Sequence, residues 1–307
     1  MRPISNIRKR RERRRSLINL FDRPVKKFRI LWVNFLIKSF KYFCRITLFS
    51  KITSRQAYSL KLTEHEIYFD LLPESFEGYS ILFLSDLHID MVLDIESKIF
   101  DIIDKTDFHA CLLGGDYAYR YKGKNINITK EFADRLIKKI HSKDKAIYGA
   151  LGNHDIYEFG CFLEEKGVKM LVNESVKIAK EDSHIYIAAI DDADYYKSHD
   201  FALCEEGIEH KESFKIIISH TPDIYKEAEK FGYHLALCGH THGGQVCLPG
   251  GFPIFTSSKA PRKYARGKWK HKNLHGITSN GIGCSAFAAR LFCPPEIILI
   301  KLKKTRV

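Results

Sequence analysis

Several absences narrow what this chain can be. Its eight cysteines form no C-x-x-C pair, which excludes a zinc ribbon or a thioredoxin-like redox motif. It has no G-x-x-x-x-G-K-[ST] loop, which removes the kinase and nucleoside-triphosphatase classes built on that phosphate cradle. The longest uncharged stretch of the apolar N-terminal segment runs only from Ile30 to Ile37, far short of the ~20 residues that span a bilayer. No A-x-A-like site follows it, so a cleaved secretory signal is not indicated. No internal repeat is visible, and no low-complexity tract lies beyond the leader.

Charge is abundant but unevenly placed. The net charge is +13 over 307 residues. Residues 1–51 hold sixteen of the fifty Lys and Arg but only two of the thirty-seven acids, Glu12 and Asp22. The remaining chain, with 34 basic and 35 acidic residues, is near neutral. A neutral body argues against a nucleic-acid partner, because duplex binding needs many cationic phosphate contacts. Cys111 and Cys238 sit inside apolar runs, as buried thiols do, and the cysteine pattern suits a reducing compartment.

The chain divides into a basic leader, residues 1–54, and a body, residues 55–307. Residues 8–15 read RKRRERRR, a run expected to be solvated and disordered. Beyond it, Asn34, Lys38, Lys41 and Arg45 recur at helical spacing beside Trp32, with Lys27 on the same stripe. A basic stripe opposite a wide apolar face suits a helix lying in an anionic membrane interface. Peripheral attachment at the cytoplasmic face through residues 1–51 follows. Deleting them should then leave hydrolysis of a small soluble substrate intact. Packing against the body is the competing reading, and Arg14-Arg15-Ser16-Leu17 is compatible with a twin-arginine export signal.

In the body, short apolar runs alternate with amphipathic stretches, which means a layered α/β fold. Strands are predicted at Tyr79–Ser85, Ala110–Leu113, Ala146–Leu151, Ile185–Ile190, Lys215–Ser219, Leu235–Cys238 and Ile297–Leu302. Helices are predicted at Ile95–Ile103, Thr129–His141 and Pro222–Phe231, the second starting at Thr129. Residues Pro249 to Lys272 read as a long loop.

Five polar motifs stand at strand ends: Asp86-x-His88, Gly114-Gly115-Asp116, Gly152-Asn153-His154-Asp155, His220, and Gly239-His240-Thr241-His242. Ligands collect at the carboxyl ends of strands in such folds. Each motif alone is common in turns and caps. Together they supply seven or more Asp, Asn and His donors, more than one metal needs and suited to Mn²⁺, Fe, Zn²⁺ or Mg²⁺. Asp155 is open to two roles, orienting His154 or capping the next helix. Asp191 and Asp192, at another strand end, are open to substrate contact or to a turn.

The order of these motifs resembles the calcineurin-like metallophosphoesterase superfamily. The continuation Gly-His-Thr-His-Gly-Gly-Gln, Tyr264-Ala265-Arg266-Gly267, Asn280-Gly281-Ile282-Gly283 and Arg290 with Pro295-Glu296-Ile297 is similar to its bacterial YaeI- and YkuE-type branch. The resemblance covers about residues 55 to 302. It implies a four-layer αββα sandwich with two mixed β-sheets. It implies two divalent metals, Mn foremost, one held by Asp86, His88 and His242, the other by Asn153, His220 and His240, with Asp116 as bridge. His154 is implied to protonate the leaving group. Two such cations clamp the attacking and leaving oxygens and ionise a water near neutral pH, so the reaction is hydrolysis of a phosphodiester, phosphomonoester or pyrophosphate. The leader points to a lipid-linked substrate, with UDP-2,3-diacylglucosamine of lipid A synthesis as the specific expectation. The alternatives are a nuclease or cyclic-nucleotide phosphodiesterase on the same centre, or a catalytically silent metal-stabilised scaffold. Retention of every ligand and of His154 argues against the last.

Overall fold

The computed structural model describes residues 1–17, 49–121 and 123–306. The expected interfacial stripe, with Lys27, Trp32, Asn34, Lys38, Lys41 and Arg45, lies outside them. Helix α1 spans Asn6–Leu17 and α2 Phe49–Ala57. The body follows with β1 (Lys61–Phe69), β2 (Ser80–Leu84), α3 (Glu96–Lys105), β3 (Ala110–Leu113), α4 (Lys124–His141), β4 (Ala146–Gly149), α5 (Tyr157–Glu165), β5 (Lys169–Met170), β6 (Glu174–Lys180) and β7 (Ser183–Ala189). Then come α6 (Phe201–Glu205), β8 (Lys215–Ser219), α7 (Tyr225–Lys230), β9 (Leu235–Cys238), β10 (Cys247–Leu248), β11 (Phe252–Pro253), β12 (Gly267–His271), β13 (Leu274–Thr278) and β14 (Glu296–Lys304).

Two six-stranded mixed sheets result, ordered β1-β14-β2-β3-β4-β5 and β12-β13-β9-β8-β7-β6. Side chains alternate across each strand, and the alternation builds the layers. Ile81 and Phe83 of β2 and Ala110 and Leu112 of β3 meet Ile185 and Ile187 of β7 and Ile216 and Ile218 of β8 in a core between the sheets. The intervening Leu82, Leu84, Cys111 and Leu113 point the other way, onto Ile99, Ile103, Phe132, Leu136 and Phe159 of α3, α4 and α5. On the far side Ala188, Ile217 and Ala236 pack against Phe201 of α6 and Ala228 of α7. Helices, sheet, sheet, helices: the four-layer αββα sandwich is present.

Three details differ from the sequence-based expectations. Helix α4 begins at Lys124, not Thr129; Thr129 is buried and its hydroxyl donates to Asn125 O at 2.9 Å, inside the helix. The predicted loop from Pro249 contains two strands, β11 and β12, and Trp269 of β12 turns into the outer core. The basic run at 8–15 belongs to α1, and Arg8 is fully buried. Arg8 reaches the body through Asp191 and through Asp155 O at 2.8 Å, and stacks 4.2 Å from the Tyr196 ring centroid. Arg11 Nη1 donates to Tyr195 O at 2.8 Å, and Arg2 N to Glu174 at 2.8 Å. Removing this segment strips buried contacts, so the expectation that its deletion spares the catalytic body does not fit the packing. Among the described residues no helix is long and apolar enough to cross a membrane, and the seven cysteines among them are free.

Candidate metal centre

Strands β2, β3 and β4 are parallel neighbours in one sheet, and β7, β8 and β9 in the other. Their carboxyl ends meet on one edge of the sandwich. Asp86 and His88 follow β2, Asp116 follows β3, and Asn153 and His154 follow β4; from the other sheet, His220 follows β8, and His240 and His242 follow β9. Contacts across the sheets fix the edges to each other. His220 Nδ1 lies 2.9 Å from Gly114 O, and His240 N donates to both Asp86 carboxylate oxygens at 3.0 and 3.1 Å.

The turns are tight enough to require glycine. A Cβ on Gly152 would collide with Asp116 Oδ1, and one on Gly239 would collide with Ser85 Oγ. The backbone is also held in an unfavourable conformation. Asp86, His88, Asp116, His240 and His242 all have positive φ, between 35° and 70°. Each such residue costs on the order of 1–3 kcal/mol and persists only where the surroundings impose it, as at functional sites.

The side chains form two adjoining triads, Asp86 with His88 and His242, and Asp86 with Asp116 and His220, the donor atoms of each within 4.8 Å of one another. Asp116 Oδ2 lies 3.4 Å from His88 Nε2 and 3.1 Å from His220 Nε2. Asp86 Oδ1 lies 3.4 Å from His242 Nε2 and 3.9 Å from His220 Nε2. Asn153 and His240 stand beside the second triad: His240 Nδ1 is 2.8 Å from Asn153 Oδ1, and its ring is 5.2 Å from that of His220. The His154 ring is 5.1 Å from that of His88. Its main-chain N–H donates to Asp116 Oδ1 at 2.8 Å, and its Nδ1 is 2.9 Å from Tyr119 O.

Burial and proximity split the titrations. Burial pushes the Asp86 carboxyl up, partly offset by His220. Burial would also raise Asp116, but His220, His154 and His88 hold it well below the usual carboxylate range. Burial would lower His220, yet Asp116 and Asp86 keep it well above the ordinary histidine value. Burial drives His88 down to about 3, and burial with His88 and Arg290 drives His242 down as well.

Asp155 takes neither role the sequence leaves open. It is buried and accepts from Gly152 N and Asp116 N at 2.7 Å each, Tyr117 N at 3.0 Å and the Tyr121 hydroxyl at 2.6 Å. It therefore staples the Gly-Gly-Asp turn to the Gly-Asn-His turn, while Tyr119 orients His154. Burial, with the Asp116 charge, raises its pKa to about 6. Asp191 pairs with Arg8 and accepts from Ser198 Oγ at 2.7 Å; Asp192 accepts Tyr196 N in a turn. Arg8 is not legible in the sequence because seven of the eight residues from 8 to 15 are basic, and nothing local separates the buried one from the rest.

A family model described as calcineurin-like phosphoesterase matches residues 79–244. The chain is 28% identical over 269 residues to the uncharacterized metallophosphoesterase YkuE of Bacillus subtilis, across 81% of this chain and 88% of YkuE. It is 26% identical over 238 residues to the phosphodiesterase YaeI of Escherichia coli, across 73% and 82%. Among solved structures, TT1561 of Thermus thermophilus is similar over 67% of this chain and 90% of its own, with 12% identity and a TM-score of 0.44.

Proposed function

The chain belongs to the calcineurin-like phosphoesterase family and is a metal-dependent phosphoester hydrolase, and from that premise we propose the roles of its site residues. Asp86, His88 and His242 hold one divalent cation; Asn153, His220 and His240 hold a second; Asp116 serves both. The observation that carries this is the position of Asp116 Oδ2, within 3.4 Å of a histidine from each triad. The donor set fits cations on independent grounds. His88 Nε2 is buried and, among the described residues, makes no hydrogen bond, a state that costs free energy unless something accepts its lone pair. Two buried carboxylates stand side by side, which favours a cation between them.

When bound, such cations neutralise the phosphoryl oxygens and lower the pKa of water toward neutrality. The chain's own groups do the rest. Asp155 fixes the turns that carry Asp116 and Asn153. His154 is held by Tyr119 O at Nδ1, so the protonated ring offers its Nε2 hydrogen to a leaving or phosphoryl oxygen. The substrate reading is a lipid-linked phosphate such as UDP-2,3-diacylglucosamine, processed at a membrane surface that the basic leader binds. Mn²⁺ is the preferred metal, and the cytoplasmic face the preferred location.

Metal content and turnover test the assignment together. Asp116→Ala should abolish binding of both metals, and Asn153→Ala should weaken one. His154→Ala should keep full metal content while kcat falls ~10²–10⁴-fold. A wild-type protein that saturates at one metal per chain would sink the two-metal reading. A panel with Mn²⁺ of aryl phosphodiester, phosphomonoester, cyclic nucleotide and UDP-linked lipid decides the substrate.

A further inference from the structure

The hairpin β10–β11 leaves the metal centre directly, since Cys247 comes five residues after His242. It carries an unusual surface. Nine large apolar side chains are exposed among the described residues, and four of them, Leu248, Phe252, Ile254 and Phe255, lie on this segment. Phe255 is 64% exposed and Phe252 53%. Leu248 and Phe252 are cross-strand partners and so share a face. Phe292, also exposed, adjoins them: Arg266 Nη1 donates to Gly251 O at 2.6 Å and to Phe292 O at 3.4 Å. Phe292 N in turn donates to Gln56 of α2 at 2.8 Å, and α2 adds exposed Ile52.

The segment itself carries one sign of charge, and the acid the fold brings to it is Asp223, which accepts from Lys259 N at 2.8 Å and Ala260 N at 2.9 Å. No acid occurs between Glu229 and Glu296. Lys259, Arg262 and Lys263 are exposed, and the Arg262 guanidinium sits 5.3 Å from the Phe252 ring centroid. Helix α2 contributes exposed Lys51 and Arg55. Scattered apolar residues on a surface need no explanation, but an apolar cluster with a mainly basic rim does. Its chemistry matches an anionic lipid surface, where rings enter the acyl boundary and cations meet phosphates. A duplex nucleic acid would meet the cations but leave the aliphatic and Phe side chains in water.

We infer that the hairpin 247–255, with Phe292 and the basic residues 259–263, docks the catalytic body on an anionic bilayer. The site mouth then faces the lipid, because Ser257 O lies 3.3 Å from His240 Nε2. The inference concerns the body and stands apart from the leader, so either can fail alone.

The test is a depth probe in the full chain. Phe255→Trp is introduced with Trp32→Phe, and the protein is mixed with phosphatidylglycerol vesicles containing bromolipid; the Trp32→Phe parent reports the Trp269 background. Quenching above the parent is expected. In parallel, Phe252→Ser with Phe255→Ser should lower vesicle partitioning by at least roughly tenfold, the scale of burying one Phe side chain, with turnover of a soluble aryl phosphodiester unchanged. Quenching equal to the parent overturns the inference. So does an introduced tryptophan whose emission is already blue-shifted without lipid, which would mean that another segment or a second copy covers the hairpin. Displacement from vesicles by duplex DNA would replace the lipid with a nucleic acid.

Discussion

Two arginines are fully buried among the described residues, Arg8 and Arg290, and the regions around them solve the problem of a buried charge in opposite ways. Arg8 comes from the N-terminal helix and is met by carboxylates, Asp191 and Glu12, as well as by Asp155 O. Arg290 comes from the loop before β14, and among the described residues no carboxylate pairs with it. Its guanidinium donates to main-chain oxygens of Gly281, Gly283 and Cys293, and lies 3.5 Å from His242 Nδ1. The first region is an ion pair that ties a distant segment to the staple residue Asp155. The second is a positive charge fixed by dipoles beside His242, the histidine proposed to offer a lone pair to a cation and so to stay neutral. Charge neutralisation serves stability in one; in the other an uncompensated charge, after burial and His88, helps hold His242 below the ordinary histidine range.

The largest effect should come from breaking the ion pair. Arg8→Ala leaves Asp191 buried and unpaired, which costs about 3–5 kcal/mol. Chemical denaturation of the metal-free protein measures it. Adding Asp191→Asn should recover much of the loss, because the orphaned charge is the main cost. If the double variant is no more stable than Arg8→Ala, the pair is not what holds α1 to the body.

Arg290 should cost less. Arg290→Met removes donors to carbonyls but strands no opposite charge, so about 1–3 kcal/mol is expected. Arg290→Lys should fall between Met and wild type, since a lysine keeps the charge but loses the planar fork that reaches three oxygens. A loss for Arg290→Met that equals or exceeds that for Arg8→Ala would collapse the distinction between the two regions.

The same contrast shows what is legible in the sequence. The strands Ala110–Leu113, Lys215–Ser219 and Leu235–Cys238 stand where their unbroken apolar runs place them, because burial on both faces leaves an unmistakable signature. The seven expected ligands and His154 lie close together because each follows one of the parallel strands β2, β3, β4, β8 and β9. Strand β1 leaves no such signature: KLTEHEIYF lies at a sheet edge, with only Ile67 and Phe69 buried. Helix α4 reads five residues short, because Lys124 to Ile128 carry no cap and no apolar period. Arg290 sits in an apolar stretch, where a lone arginine invites notice. Arg8 is hidden among its equals, and its burial depends on Asp191, which is 183 residues away. Local pattern fixes elements; it cannot report which of several identical charges finds a distant partner.

The smallest effect belongs to Glu12, the second acid at Arg8, and it sharpens the comparison by its sign. Glu12 Oε1 accepts from Arg8 Nε at 2.8 Å and from Tyr157 N at 3.2 Å. Burial nevertheless raises its pKa above the ordinary 4.5, against the pull of Arg8. A carboxyl raised in the folded state binds its proton more tightly there than in the unfolded chain. Its contribution is then fully present below about 4.5 and is lost as pH rises through the folded value. Glu12→Gln keeps an acceptor and deletes the charge. At pH 7 it should change stability by no more than about 1 kcal/mol, and it should fare better relative to wild type at pH 7 than at pH 4. Melting temperatures of both proteins at the two pH values settle the sign. A glutamine variant that loses ground as pH rises would mean that Arg8 stabilises the ionised Glu12 outright. The Arg8 region would then rest on two productive ion pairs, not on Asp191 alone.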